Sequence, residues 1–207
     1  MRAFVALIPP AAALAELDAA VGPLRVAHTD LRWTPVAQWH LTLAFLGEVD
    51  ERVLPDLTER LARAARRHEP MRLAFGAAGR FGSRVLWIRV GAAPAGHPGE
   101  RESPVLAGRV PHSGRPYGGD GLPRLAASVT AAARRSGIAV DGRPYRPHLT
   151  LARARDGADL RPLVTALGDV AGSPWSAEAL HLVRSRLGAG PGGTAEHELV
   201  GTWPLGR

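Results

Sequence analysis

Two stretches of this chain carry the same five residues. His40-Leu41-Thr42-Leu43-Ala44 returns as His148-Leu149-Thr150-Leu151-Ala152, 108 positions later (148 − 40). Chance produces a five-letter repeat in a chain of this length on the order of 1% of the time, so the copies point to two structurally equivalent halves. On a strand, residues i and i+2 share a face. His40 and Thr42 then face one way while Leu41 and Leu43 enter a core, and His148 and Thr150 repeat this over Leu149 and Leu151. If the halves face each other, two imidazoles and two hydroxyls converge. An unperturbed imidazole titrates at about 6.5, so one neutral and one protonated ring can act as base and acid in a single in-line displacement at phosphorus. The threonine hydroxyls can donate to non-bridging phosphate oxygens as charge builds on them. This chemistry calls for no metal, and no spacing offers the histidine pair a third ligand. The competing reading is a duplicated structural strand, but leucine or valine would fill an inward face at lower cost than paired polar groups.

The elements that must position these groups follow from the apolar pattern. Arg2–Ile8 reads as a buried strand, and 11–21 as a helix opened by proline. Trp39–Leu46 alternates with period two and ends at Gly47. Asp50–His68 is an amphipathic helix with Val53, Leu54, Leu57 and Leu61 near helical spacing. Met71–Phe75 and Arg84–Val90 read as hairpin strands joined by a loop holding Gly76, Gly79 and Gly82. Residues 91–121, rich in Gly and Pro and without apolar period, read as a long loop insertion in which His97 and His112 are solvent-exposed. Leu122–Arg135 is helical, Ile138–Val140 a short strand, Arg146–Ala154 a strand, Leu160–Leu167 a helix and Ala177–Ser185 a strand. A turn at Gly188–Gly193 leads to a last strand, His197–Trp203. Helices interspersed with hairpin-like strands predict an α+β fold with antiparallel sheets.

Composition sets outer bounds. The 207 residues are 45% hydrophobic and 22% charged, ample for a core. Cysteine is absent, which removes disulfides and thiolate chemistry. No apolar run approaches the roughly 20 residues of a membrane span. The apolar start is broken by Pro9 and Pro10 and shows no clear cleavage site, so it reads as a strand and not as a secretory signal, and the expected compartment is the cytoplasm. All 26 basic residues are arginine, against 19 acidic ones, for a net charge of +7. Codon bias accounts for that choice, yet the resulting field would still draw in anions, RNA included.

The doubled motif and its surroundings resemble the 2H phosphoesterase superfamily, and within it the bacterial RNA 2',3'-cyclic phosphodiesterases, also called 2'-5' RNA ligases. Four stretches carry the resemblance: Arg2-Ala-Phe-Val-Ala-Leu, Trp39-His-Leu-Thr-Leu-Ala-Phe-Leu-Gly-Glu-Val, Arg146-Pro-His-Leu-Thr-Leu-Ala-Arg, and the ending from Leu180-His-Leu-Val-Arg-Ser-Arg-Leu to Glu198-Leu-Val-Gly-Thr-Trp-Pro-Leu. The resemblance implies a bilobed, pseudo-twofold α+β domain over residues 1–207, with two antiparallel sheets facing a central cleft and helices outside. It implies metal-independent and cofactor-independent opening of a 2',3'-cyclic phosphate at an RNA end to a 2'-phosphate, with reversible 2'-5' RNA ligation beside it. His40 and His148 are then the catalytic pair, with Thr42 and Thr150 as phosphate clamps. We assign His148 as base and His40 as acid, with the reverse assignment open.

Further candidates surround this pair. Phe45 and Arg153 each lie five residues past a motif histidine, on the opposite face of a regular strand; a strand end or a bulge would swing either toward the cleft, and the alternative for Arg153 is a solvated strand-end arginine. Arg146 shares the face of His148 and could reach an RNA phosphate. Tyr145 could stack on a base or pack, and His181 reads as structural. The expected partner is an RNA end or small nucleotide, met by a monomer. Other small cyclic phosphates, 2'-5'-linked oligonucleotides and a non-catalytic RNA-binding role are the alternatives.

Overall fold

The run Ala3–Leu7 is buried on both faces, which only a central strand permits. It forms β1 (Arg2–Leu7) and pairs antiparallel with β3 (Leu41–Glu48) on one side and β8 (Ala179–Arg186) on the other. The remaining elements of the computed structural model are α1 (Ala11–Ala27), β2 (Arg32–Trp33), α2 (Leu54–Arg66), β4 (Met71–Phe81), β5 (Val85–Ala92), α3 (Gly121–Arg135), β6 (His148–Arg153), α4 (Arg161–Leu167), β7 (Trp175–Ala177) and β9 (Glu196–Pro204). The structure describes residues 1–94, 121–154, 158–170, 172–190 and 193–206. His97, His112 and most of the 91–121 segment lie outside them. Among the described residues no helix is long and apolar enough to cross a membrane.

The hydrogen-bonded strand order is β7-β4-β5-β6-β3-β1-β8-β9, with β2 joining β6. This α+β path divides into two antiparallel halves, β3-β1-β8-β9 and β6-β5-β4-β7. Among the described residues β3 and β6 join the two halves through one backbone pairing, Leu41 opposite Leu149. Helices α2 and α3 cover the first half, while α4 and α1 sit on the side of β4. The chain therefore crosses between halves repeatedly: α1 follows a strand of the first half yet packs with the second. Its Glu16 carboxylate accepts the Ser173 N–H at 2.6 Å, fixing it to the segment before β7. One core cluster runs from Ala3 to Leu205 through both halves, so neither closes its core without the other.

Several boundaries differ from expectation for local reasons. Helix α1 continues past Gly22-Pro23 to Ala27, although Pro23 lacks a helical N–H and crowds the carbonyl four residues back. Gly76 and Gly79 belong to β4 and not to a loop. A Cβ on Gly79 would fall 2.3 Å from the Trp87 indole, so glycine is there to admit that ring. Strand β5 extends through Gly91 and Ala92, shortening the predicted insertion. The strand predicted over Ala177–Ser185 is two, β7 and β8, and Ile138–Val140 forms no strand. β2 was not anticipated, since two residues show no period.

Leu149 is fully buried at the seam, opposite both Leu41 and Ile88. Leu149→Ala should cost about 2–5 kcal/mol in urea-unfolding experiments, whereas Leu199→Ala, at a 56%-exposed site, should change stability by less than about 0.5 kcal/mol. Equal small losses would contradict the seam.

Candidate active site

The two motifs meet at the seam. An antiparallel register through Leu41 and Leu149 sets position 40 beside 150 and position 42 beside 148. Each histidine thus faces the threonine of the other motif. The leucines on the opposite face are buried, as the alternation requires, and both threonines are half-buried. No described protein group takes either threonine hydroxyl.

Both imidazoles are held in the same way. His40 Nδ1 lies 2.7 Å from the Gln38 carbonyl, and His148 Nδ1 lies 2.7 Å from the Arg146 carbonyl. A carbonyl only accepts, so each Nδ1 carries the proton and each Nε2 keeps its lone pair for chemistry. The orienting group comes from two residues upstream in both halves. In the first it sits in a short 3-10 turn, Val36–Gln38, set after Pro35. In the second, β6 begins only at His148, and Arg146 lies before it with an exposed side chain. The shared-face expectation for Arg146 therefore loses its strand, and its carbonyl is what the structure engages.

A bulge decides where Phe45 and Arg153 go. Along β1 and β3, Val5 faces Ala44 and Ala6 faces Thr42, leaving Leu43 as an extra residue. Along β5 and β6, Leu86 faces Ala152 and Trp87 faces Thr150, leaving Leu151 extra. The insertion shifts the alternation by one, so Leu43 and Ala44, and likewise Leu151 and Ala152, are buried in succession. Phe45 and Arg153 consequently return to the histidine face. Phe45 is 57% exposed, 6.0 Å from the Phe4 ring that stacks on His40. Arg153 is exposed, and its charge acts on His148.

The ring surroundings differ between halves. His40 stacks on Phe4 at 4.4 Å and meets His197 edge-on at 5.3 Å. His148 meets the edges of Phe81 at 4.8 Å and Trp87 at 6.0 Å. Burial pushes His40 down to about 4, against the support of the Gln38 carbonyl, and the neighbouring His197 and His148 push in the same direction. His148 is also lowered, first by burial and then by the Arg153 guanidinium, with the Arg146 carbonyl opposing. The field of His148 on His40 places the two rings within electrostatic reach of each other.

Sequence reasoning missed Phe4, Phe81 and Trp87 as ring walls, Arg89 opposite His148, and His197. Phe4 and Trp87 look like ordinary apolar strand residues, and His197 stands between two glutamates with only strand alternation to mark its face. Tyr145 packs on the core, and burial raises its phenol. His181 faces the same side as Thr42, through Ala6, with its Nδ1 3.0 Å from the Thr202 hydroxyl. Among the described residues no group of three His, Cys, Asp or Glu side chains is arranged to hold a metal.

Known proteins match this chain along most of its length. The profile of the 2'-5' RNA ligase superfamily matches residues 9–189. The RNA 2',3'-cyclic phosphodiesterase of Thermus thermophilus is 32% identical over 201 residues, covering 90% of this chain and 83% of that protein. The crystal structure of TT0787 from T. thermophilus superposes with a TM-score of 0.68 at 28% identity, over 100% of this chain and 98% of that one. E. coli LigT complexed with 3'-AMP shares the fold at a TM-score of 0.69 and 24% identity, again over 100% and 98%.

The lowered His40 has a consequence for stability. Between about 6.5 and about 4 the unfolded chain binds a proton at this position that the folded chain refuses, so stability falls as pH falls through that window. Urea midpoints measured from pH 7 to pH 4 should decline, and the decline should be shallower in His40→Gln. An identical slope in the variant would contradict the assigned burial of a neutral ring.

Proposed function

The chain belongs to the 2'-5' RNA ligase superfamily, and on that footing we propose that it hydrolyses the 2',3'-cyclic phosphate at an RNA end to a 2'-phosphate. The observation that carries the reading is the pair of imidazoles with matched tautomers, each Nδ1 fixed on a backbone carbonyl and each Nε2 left for substrate, on one face across a shared seam.

The steps follow from these groups. One Nε2 takes a proton from water as the water oxygen attacks phosphorus in line with O3'. The P–O3' bond breaks, and O3' leaves with the electron pair and takes a proton from the other Nε2–H. The first ring ends protonated, the second neutral, and the phosphate stays on O2'. Thr42 and Thr150 donate to the non-bridging oxygens, which carry the growing charge. Phe45 offers an exposed ring to a base, while Arg153 and the exposed Arg146 offer charge to the RNA backbone. Ligation through a 2'-5' link follows the same path with an RNA 5'-hydroxyl in the place of water.

The surroundings favour reversing the expected roles of the histidines. His40, walled by Phe4 and His197 and held neutral down to about 4, suits the base. His148, beside more open surroundings, suits the acid once the anionic substrate draws a proton in.

Replacing either histidine with alanine should lower kcat on a cyclic-ended RNA oligonucleotide by about 10²–10⁴, with the wild-type rate unchanged by EDTA. Full turnover in either variant, or loss of the wild-type rate on chelation, would refute the scheme. A substrate with sulfur at the 3' bridge leaves without an acid. It should restore His148→Ala to within about tenfold of wild type and leave His40→Ala impaired. The opposite pattern would return the base role to His148.

A further inference from the structure

His197 reaches the site from the far corner of the first half. It lies on the edge strand β9, opposite Ser185 of β8, while His40 precedes β3 at the diagonally opposite corner. Coiling of a twisted antiparallel sheet brings such corners together over its concave face. Here they meet over Phe4. His197 stands 5.1 Å from the Phe4 ring at 72° and 5.3 Å from His40 at 73°, while Phe4 and His40 are stacked at 21°. Edge-to-face contact at these separations is the favoured arrangement of ring pairs. The same corners are joined a second time: Gln38, whose carbonyl holds His40 Nδ1, donates its side-chain amide to the Ala195 carbonyl, two residues before His197. His197 itself makes no hydrogen bond to a described residue, so these ring contacts are what it contributes. Among the described residues no third imidazole stands beside His148, where Phe81 and Trp87 take the place of a wall.

We propose that His197 is a positioning residue for His40, wedged beside the Phe4–His40 stack so that Nδ1 stays on the Gln38 carbonyl and Nε2 is presented to the phosphate. The inference rests on the two-histidine reading above and adds a residue outside both repeated motifs. A single hydrogen bond at Nδ1 leaves the imidazole free to tilt about its outer torsion. Phe4 covers one face of the ring, and His197 packs beside the Phe4–His40 pair in contact with both, so a tilt of His40 runs into one or the other. Displacing a catalytic atom by about 1 Å costs up to about 10²-fold in rate, so a wall of this kind is kinetically visible without touching substrate. A charge on His197 would also oppose one on His40, which adds to the neutrality of the buried ring.

The test compares His197→Ala with His197→Phe in the full chain. On a 2',3'-cyclic-ended RNA oligonucleotide, His197→Ala should lose about tenfold or more in kcat with KM within about twofold of wild type. His197→Phe keeps a ring and should return to within about threefold. Without substrate, proton NMR should show the His40 Nδ1–H resonance broadened in the alanine variant and retained in the phenylalanine variant, with that of His148 unchanged in both. Wild-type kcat with an intact His40 resonance in His197→Ala overturns the proposal, as does joint loss of the His40 and His148 signals, which reports a general structural role. If the wild-type chain fails to turn over cyclic-ended RNA while the resonances behave as stated, the functional reading falls and the positioning role stands.

Discussion

One backbone pairing, Leu41 against Leu149, holds the two halves of this molecule in register, and the chemistry depends on it. Through that pair each motif histidine lies beside the threonine of the other motif. A slip of one residue would turn His40 and Thr42 into the leucine-packed core and bring Leu41 to the surface. The fully buried leucines on the far face make such a slip costly, so the core itself specifies where the imidazoles stand.

The repeat extends from the pentapeptide to the pairing of whole strands. Thr42 and Thr150, 108 residues apart (150 − 42), face Ala6 of β1 and Trp87 of β5, which are 81 apart (87 − 6), and these face His181 of β8 and Gly79 of β4, 102 apart (181 − 79). The second half therefore carries 27 more residues (108 − 81) between β5 and β6 than the first half carries between β1 and β3. Even the irregularity is duplicated: each motif strand bulges at its second leucine, Leu43 or Leu151, and so returns the residue five beyond the histidine to the histidine face. The residue returned is not the same. Phe45 is apolar and Arg153 cationic, and with His197 beside only one of the two rings they break the symmetry on which the site is built. The proposed displacement at phosphorus calls for such an inequality, since acid and base must differ.

Much of this was legible in the residues. Strict alternation in His40–Leu43 and His148–Leu151 fixed which side chains share a face, and the repeat fixed that there are two such faces. The bulges were not legible, because Leu43-Ala44 and Leu151-Ala152 read as well in an unbroken alternation. The seam was hidden because pairing between residues 108 apart leaves no local trace. Gly79 was misread because glycine marks loops in a sequence, while here it makes room for an indole across the ladder. His197 escaped notice because a lone histidine on a polar edge strand carries no pattern, and only the coiling of the sheet brings it to His40.

The central claim is that Nε2 of His40 and Nε2 of His148 serve a single phosphorus atom. A crystal structure of the protein with a 2'-phosphorylated nucleotide bound measures this directly. The account predicts one phosphate with both Nε2 atoms and both threonine hydroxyls within hydrogen-bond distance of its oxygens, about 2.6–3.2 Å. A phosphate bound to one histidine alone, with the other ring facing solvent, would contradict it.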